Sequence, residues 1–145
     1  MKLRSTSTFY LNGVRCDVGP EHAQMMLSDY LRYQRKLTGT KVVCAEGDCG
    51  ACSVLKYFPK PKGKSTRPRF LAINSCISTV AQLDGSSLIT IEALSKENNL
   101  HPVQKAMVEC HASQCGFCTP GFVMALTGLV EKKICQNKKD CKPLT

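Results

Sequence analysis

The chain reads as an α+β protein in which a β-grasp half, residues 1–93, is followed by an all-helical half, residues 94–145. Two changes of pattern predict this. Up to residue 92, short β-branched or alternating runs are separated by turn residues, with one long helical stretch among them. Beyond it, apolar residues recur at three- and four-residue spacing behind prolines. A third observation is that the closely spaced cysteines fall between the expected elements, in loops where their side chains can converge.

The elements follow in order. Residues 6–11 and 14–18 flank Asn12-Gly13, the pair that suits the left-handed positions of a type I′ hairpin turn. Pro20 opens a helix expected over 21–36, with Leu27, Tyr30 and Leu31 on one face, Met25 and Met26 in its core and Gly39 as its stop. Strands are expected at 53–57 and 70–73, with a basic, proline-rich loop between them. A short helix over 77–83 ends at Asp84-Gly85, and a last strand covers 87–91. This order, with one helix across a mixed sheet, is a β-grasp. Residues 95–99 are polar and read as a linker. Pro102 at the first helical position starts a helix to about 111, with Val103, Ala106, Met107 and Cys110 on one face. Thr119, as N-cap, starts another to about 133, carrying Phe122, Val123, Leu126, Leu129 and Val130.

Cys44, Cys49, Cys52 and Cys76 form a C-x4-C-x2-C…C set, the plant-type spacing for four thiolates around a 2Fe–2S cluster. Three sulfurs must reach one compact iron–sulfur rhomb from a single loop. Gly47 and Gly50 can take positive φ and turn amide N–H groups toward the sulfurs. Such donors matter, because four thiolates, two sulfides and two ferric ions sum to about −2. Glu46 and Asp48 are expected to point outward. The rival is a zinc site, which usually pairs C-x2-C with a second C-x2-C or a histidine pair, whereas the fourth cysteine here stands alone.

A second group, Cys115 and Cys118, is a C-x2-C pair just before a helix start, where free N–H groups and the dipole favour anions. By itself the pair is compatible with zinc, a redox disulfide or an iron–sulfur site. Five stretches carry a wider similarity. They are the Cys44–Cys52 loop, Asn74-Ser75-Cys76, residues 81–85 (AQLDG), residues 101–107 (HPVQKAM) and, most specifically, residues 114–121 (QCGFCTPG). With them, residues 6–130 resemble the iron–sulfur portion of the molybdenum hydroxylases, the xanthine dehydrogenase branch in particular.

The resemblance implies an amino-terminal ferredoxin-like 2Fe–2S domain and a second 2Fe–2S domain of four-helix type. It implies that Cys44, Cys49, Cys52 and Cys76 ligate the first cluster. Cys115 and Cys118 would supply half of the second, and Gln114 would contact molybdopterin on a neighbouring domain or subunit. The chain would then pass electrons from molybdopterin through both clusters to FAD held by a partner, with no substrate chemistry of its own. Two related readings remain open: a single-cluster ferredoxin-like carrier with a degenerate helical domain, and the iron–sulfur subunit of a CO dehydrogenase or aldehyde oxidase-type enzyme. A zinc-stabilised interaction module is the third.

One departure from the family is serious. The second cluster's other two thiolates come, in the family, from a C-x-C pair at the start of a later helix, and no such pair is present. Cys135 and Cys141 are the downstream alternatives, at an unmatched C-x5-C spacing. The expectation is a chain that stops short of the last helix, as a fragment or a split gene product.

Composition bounds the rest. Ten cysteines in 145 residues would suggest a disulfide scaffold in a secreted protein, but residues 1–9 are polar and carry no signal-like run. Reduced, metal-bound thiols in the cytoplasm, with no membrane span, are expected. The formal charge of +9 is concentrated in residues 56–69 and 132–142. Two bound clusters would lower it to about +5. Neither basic stretch has interleaved aromatics or a nucleic-acid motif, so both read as solvated or partner-facing surface. Cys16 and Cys110 are expected as buried structural thiols, and His22, His101 and His111 as surface or capping residues.

Overall fold

The computed structural model describes residues 4–57, 70–95, 97 and 99–137, with side chains described as far as Glu131. Strands β1 (Ser7–Leu11), β2 (Val14–Val18), β3 (Ser53–Tyr57), β4 (Phe70–Asn74) and β5 (Ser87–Ile89) form one five-stranded mixed sheet in the order β2-β1-β5-β3-β4. The first two strands make the expected hairpin, with Asn12 at φ 53° and Gly13 at φ 83°. Asn12 does more than turn the chain. Its amide donates to Thr90 Oγ1 at 2.9 Å and its carbonyl accepts from the Thr90 N–H at 2.9 Å, across the parallel β1–β5 pairing.

Both faces of the sheet are covered. Successive side chains of a strand point to opposite faces, so Val54 and Leu88 enter one core while their neighbours Leu55 and Ile89 enter another. The first core gathers Phe9, Leu11, Cys16, Leu27, Tyr30 and Leu31. Each fully buried side chain of this size stabilises by about 1.5–3 kcal/mol. The second core is built from Phe70, Leu94, Val103, Val123 and Met124, and it seats helices α3 (Pro102–Glu109) and α4 (Thr119–Asn137) on the sheet. Among the described residues, no helix is long and apolar enough to cross a membrane.

The expected helix over 21–36 is instead broken. Helix α1 is a single turn, Pro20–Ala23; α2 is Leu27–Asp29, and it runs into a wider π-type turn, Tyr30–Gln34. The break has a tertiary cause. Met26 is extended (ψ 137°) and bridges Thr79, while the Leu27 amide donates to Ser78 O at 2.7 Å. Met26 is therefore exposed rather than in a helix core. The segment ends at Lys36, φ 57°, before Gly39 is reached. Residues 77–79 are not helical; only a 3-10 turn, Val80–Leu83, forms behind a Thr79–Gln82 capping box. The last strand stops at Ile89, and Ile91–Ala93 is a 3-10 turn. Helix α3 ends at Glu109, and α4 runs on to Asn137.

Cys16 is buried, but Cys110 is exposed, because α3 turns its Val103 edge to the sheet and leaves Ala106, Val108 and Cys110 outside. His101 is a buried N-cap: its Nδ1 accepts from the Val103 N–H at 3.2 Å. On α4, Val123 and Met124 are buried while Phe122 and Leu129 are exposed. The proline-rich loop of 58–69 lies outside the described residues, as do the side chains of the carboxy-terminal basic stretch.

Candidate metal centre

Cys44, Cys49 and Cys52 lie on the loop that leads into β3, and Cys76 follows β4 directly. The β3–β4 pairing, Ser53 opposite Asn74, places the start of one strand beside the end of the other, which brings Cys52 and Cys76 together. The loop reaches inward through left-handed residues: Ala45 at φ 58°, Gly47 at φ 85° and Gly50 at φ 73°. Alternating such residues with right-handed ones turns successive N–H groups to one side, an arrangement that favours anions.

The thiols approach one another: Cys44 lies beside Cys49, Cys52 beside Cys76, and Cys44 is close enough to act on Cys76. The Cys49 amide donates to Cys44 Sγ at 3.5 Å. That bond, then the Glu46 amide and the Cys49 thiol, bring the Cys44 thiol down to about 6. Burial pushes Cys76 up to about 11, with the neighbouring Cys52 thiol adding to the rise and the Gly47 amide opposing it. Among the described residues, no three His, Cys, Asp or Glu side chains converge as ligands of one ion. A tetrahedral zinc site needs four donors around a single point. Three thiols on the loop, a fourth after β4 and the loop's inward amides fit a 2Fe–2S cluster in their donor chemistry. Glu46 and Asp48 are exposed.

A frame of polar side chains holds this loop. Asn74 Nδ2 donates to Gly47 O, Ser75 Oγ donates to Cys52 O at 2.8 Å, and Ser53 Oγ donates to Gly50 O at 2.7 Å. These bonds occupy loop carbonyls and leave amides for sulfur. The sequence quotes Asn74 and Ser75 but gives no signal of what they hold. The left-handed Ala45 is equally silent there, since alanine rarely adopts that conformation.

Gln114, Cys115 and Cys118 are all exposed, on the turn between α3 and α4. Gly116 (φ 84°) makes the turn, and the Ser113 and Thr119 hydroxyls meet at 2.8 Å across it. The Phe122 amide donates to Cys118 O at 3.2 Å, so Cys118 rather than Thr119 occupies the cap position of α4. Among the described side chains, this location offers two thiols, half of a four-thiolate set. Cys135 lies on α4 with its side chain undescribed, and Cys141 lies outside the described residues. The two groups are neighbours: Cys49 and Cys118 line one cavity of about 170 Å³ between the loop and α4.

Residues 90–142 match the model of a family described as "[2Fe-2S] binding domain". Xanthine dehydrogenase of Blastobotrys adeninivorans is 40% identical over 134 residues, covering 92% of this chain and 9% of that protein. Aldehyde oxidase 1 of Rattus norvegicus is 41% identical over 123 residues, 84% of this chain and 9% of that protein. In fold, the chain is similar to quinoline 2-oxidoreductase from Pseudomonas putida 86, with a TM-score of 0.70 and 31% identity over 88% of this chain and 70% of that one. The chain belongs to the iron–sulfur family of the molybdenum hydroxylases. Within that family, its mixed sheet with few helices is of the iron–sulfur-domain type. It spans about a tenth of the length of the curated relatives it matches.

Proposed function

We propose that this chain is the electron-transfer component of a xanthine dehydrogenase-like molybdenum hydroxylase, relaying electrons from molybdopterin to FAD by way of two 2Fe–2S clusters. The observation that carries the reading is the approach of Cys44, Cys49 and Cys52, on one loop, to Cys76 at the end of β4, with loop amides turned to sulfur. In this reading, residues 1–93 form a β-grasp ferredoxin-like domain around those four ligands, and residues 94–145 belong to a second, four-helix-type 2Fe–2S domain. A bound 2Fe–2S cluster supplies one-electron acceptance and release.

The chain's own residues bind, shield and orient. The Cys49, Glu46 and Gly47 amides offset thiolate charge, and the buried Cys52 and Cys76 keep one side of the loop dry. Cys115 and Cys118 would hold half of the second cluster, and their exposure suits a site completed by other residues. Gln114, exposed beside Cys115, would donate to molybdopterin on a partner domain or subunit. FAD would sit on a further partner, and reduced, metal-binding thiols would suit a reducing compartment such as the cytoplasm. Both a xanthine dehydrogenase and an aldehyde oxidase match at about 40% identity, so purine is one substrate class and aldehyde or another heteroaromatic the alternative.

A second reading, a carrier with a single competent cluster, is favoured by the two-thiol inventory at the second location. Anaerobic purification with iron and sulfide analysis separates them. About four irons per chain and two EPR signals support the relay, about two irons support the carrier, and a colourless zinc protein defeats both.

A further inference from the structure

Gly121 lies buried in the first turn of α4, three residues after Cys118. A Cβ there would sit 2.4 Å from Gly50 O, 2.6 Å from Ala51 O and 2.7 Å from Ala51 Cα. All three atoms are backbone of the loop that carries Cys49 and Cys52. That backbone has little room to yield, because Gly50 O already accepts from Ser53 N at 3.1 Å and from Ser53 Oγ at 2.7 Å. The helix would have to back away by about 1 Å to restore ordinary contact. Glycine weakens a helix interior relative to alanine. Its presence here therefore works against local helix stability and for close approach.

We propose that Gly121 is a positioning residue that fixes the separation between the two cysteine sets. It lets α4 rest directly on the Gly50–Ala51 backbone, so that Cys118 and Cys49 face one small cavity. Gly128, about two turns further along the same side of α4, is the contrasting case. A Cβ there would meet Leu55 Cδ2 at 2.7 Å, a side-chain methyl of the second core rather than the backbone of the cysteine loop. The inference deepens the two-cluster reading above and rests on it.

The test uses the full chain purified with its iron. When the chain holds about four irons and both clusters are reduced, their paramagnetic signals split each other at low temperature, and dipolar splitting falls with the cube of separation. Gly121→Ala narrows that splitting at unchanged iron, and Gly128→Ala preserves it. Hydrogen exchange reads the same contact whatever the iron content: segments 49–53 and 119–125 lose protection together in Gly121→Ala and keep it in Gly128→Ala. Unchanged splitting at about four irons, or unchanged exchange, overturns the proposal. So does a Gly121→Ala chain that fails to fold or to retain iron, because the contact would then serve folding rather than spacing. An unmodified chain with about two irons or fewer defeats the two-cluster reading instead, and exchange alone then decides whether Gly121 seats the helix.

Discussion

The hydroxyl of Ser75 donates to the carbonyl oxygen of Cys52 at 2.8 Å, and Ser75 is fully buried. The Ser75 amide approaches the same oxygen at 3.4 Å, so one residue fixes the backbone beside both Cys52 and Cys76. Ser75→Ala removes the stronger bond and leaves a buried carbonyl with a long, single partner. The expected cost is about 1–2 kcal/mol, with faster loss of iron to a chelator. Thermal melts and chelation kinetics check it; an unaltered chelation rate would contradict the role.

Gly47 faces two penalties at once. At φ 85° any other residue is strained, and a Cβ would lie 2.5 Å from Ile77 Cδ1. Gly85 shares the backbone strain, φ 69°, with nothing within 4 Å of its Cβ position. Gly85→Ala should cost about 1–2 kcal/mol with iron retained, whereas Gly47→Ala puts the same strain inside the ligand loop, with the half-exposed Ile77 side chain to push aside, and should lower iron content. Equal iron in the two variants would show that the ligand loop tolerates the strain.

Local chemistry was legible where local rules act alone. Asn12-Gly13 makes its turn, and Leu27, Tyr30 and Leu31 are buried together as their spacing implies. The break at Met26 was not legible, because it is imposed by Thr79 and Ser78, more than fifty positions away. The same limit applies at the centre. Spacing points to the four cysteines, but the donors from Asn74 and Ser75 exist only once β3 and β4 pair. Gly121 shows the same limit: an isolated glycine in a helically spaced run only weakens the helix until the Gly50–Ala51 backbone is folded against it.

His101 ties α3 to α4. Its Nδ1 accepts from the Val103 amide at 3.2 Å, and its Nε2 lies 3.4 Å from Glu131 Oε1. Both residues are buried. His101→Ala removes the cap and takes away the buried Glu131 side chain's partner, with an expected loss of about 1–3 kcal/mol. Glu131→Gln keeps an acceptor and should cost less. Urea unfolding of both variants checks the order, and a costlier Glu131→Gln would reverse this account.

Gln114 is exposed beside Cys115, where its side chain is free to reach a partner without supporting the fold. Gln114→Ala should therefore leave iron content and melting temperature unchanged while slowing bleaching of the iron–sulfur absorbance when the complete enzyme meets its substrate. On the two-cluster reading, Cys115→Ser, one position on, should leave the iron assigned to Cys44, Cys49, Cys52 and Cys76 in place and reduce only the remainder. The two substitutions thus separate contact with the partner from holding of metal. Equal bleaching rates in Gln114→Ala and the unmodified enzyme, measured by stopped flow, would remove Gln114 from the electron path.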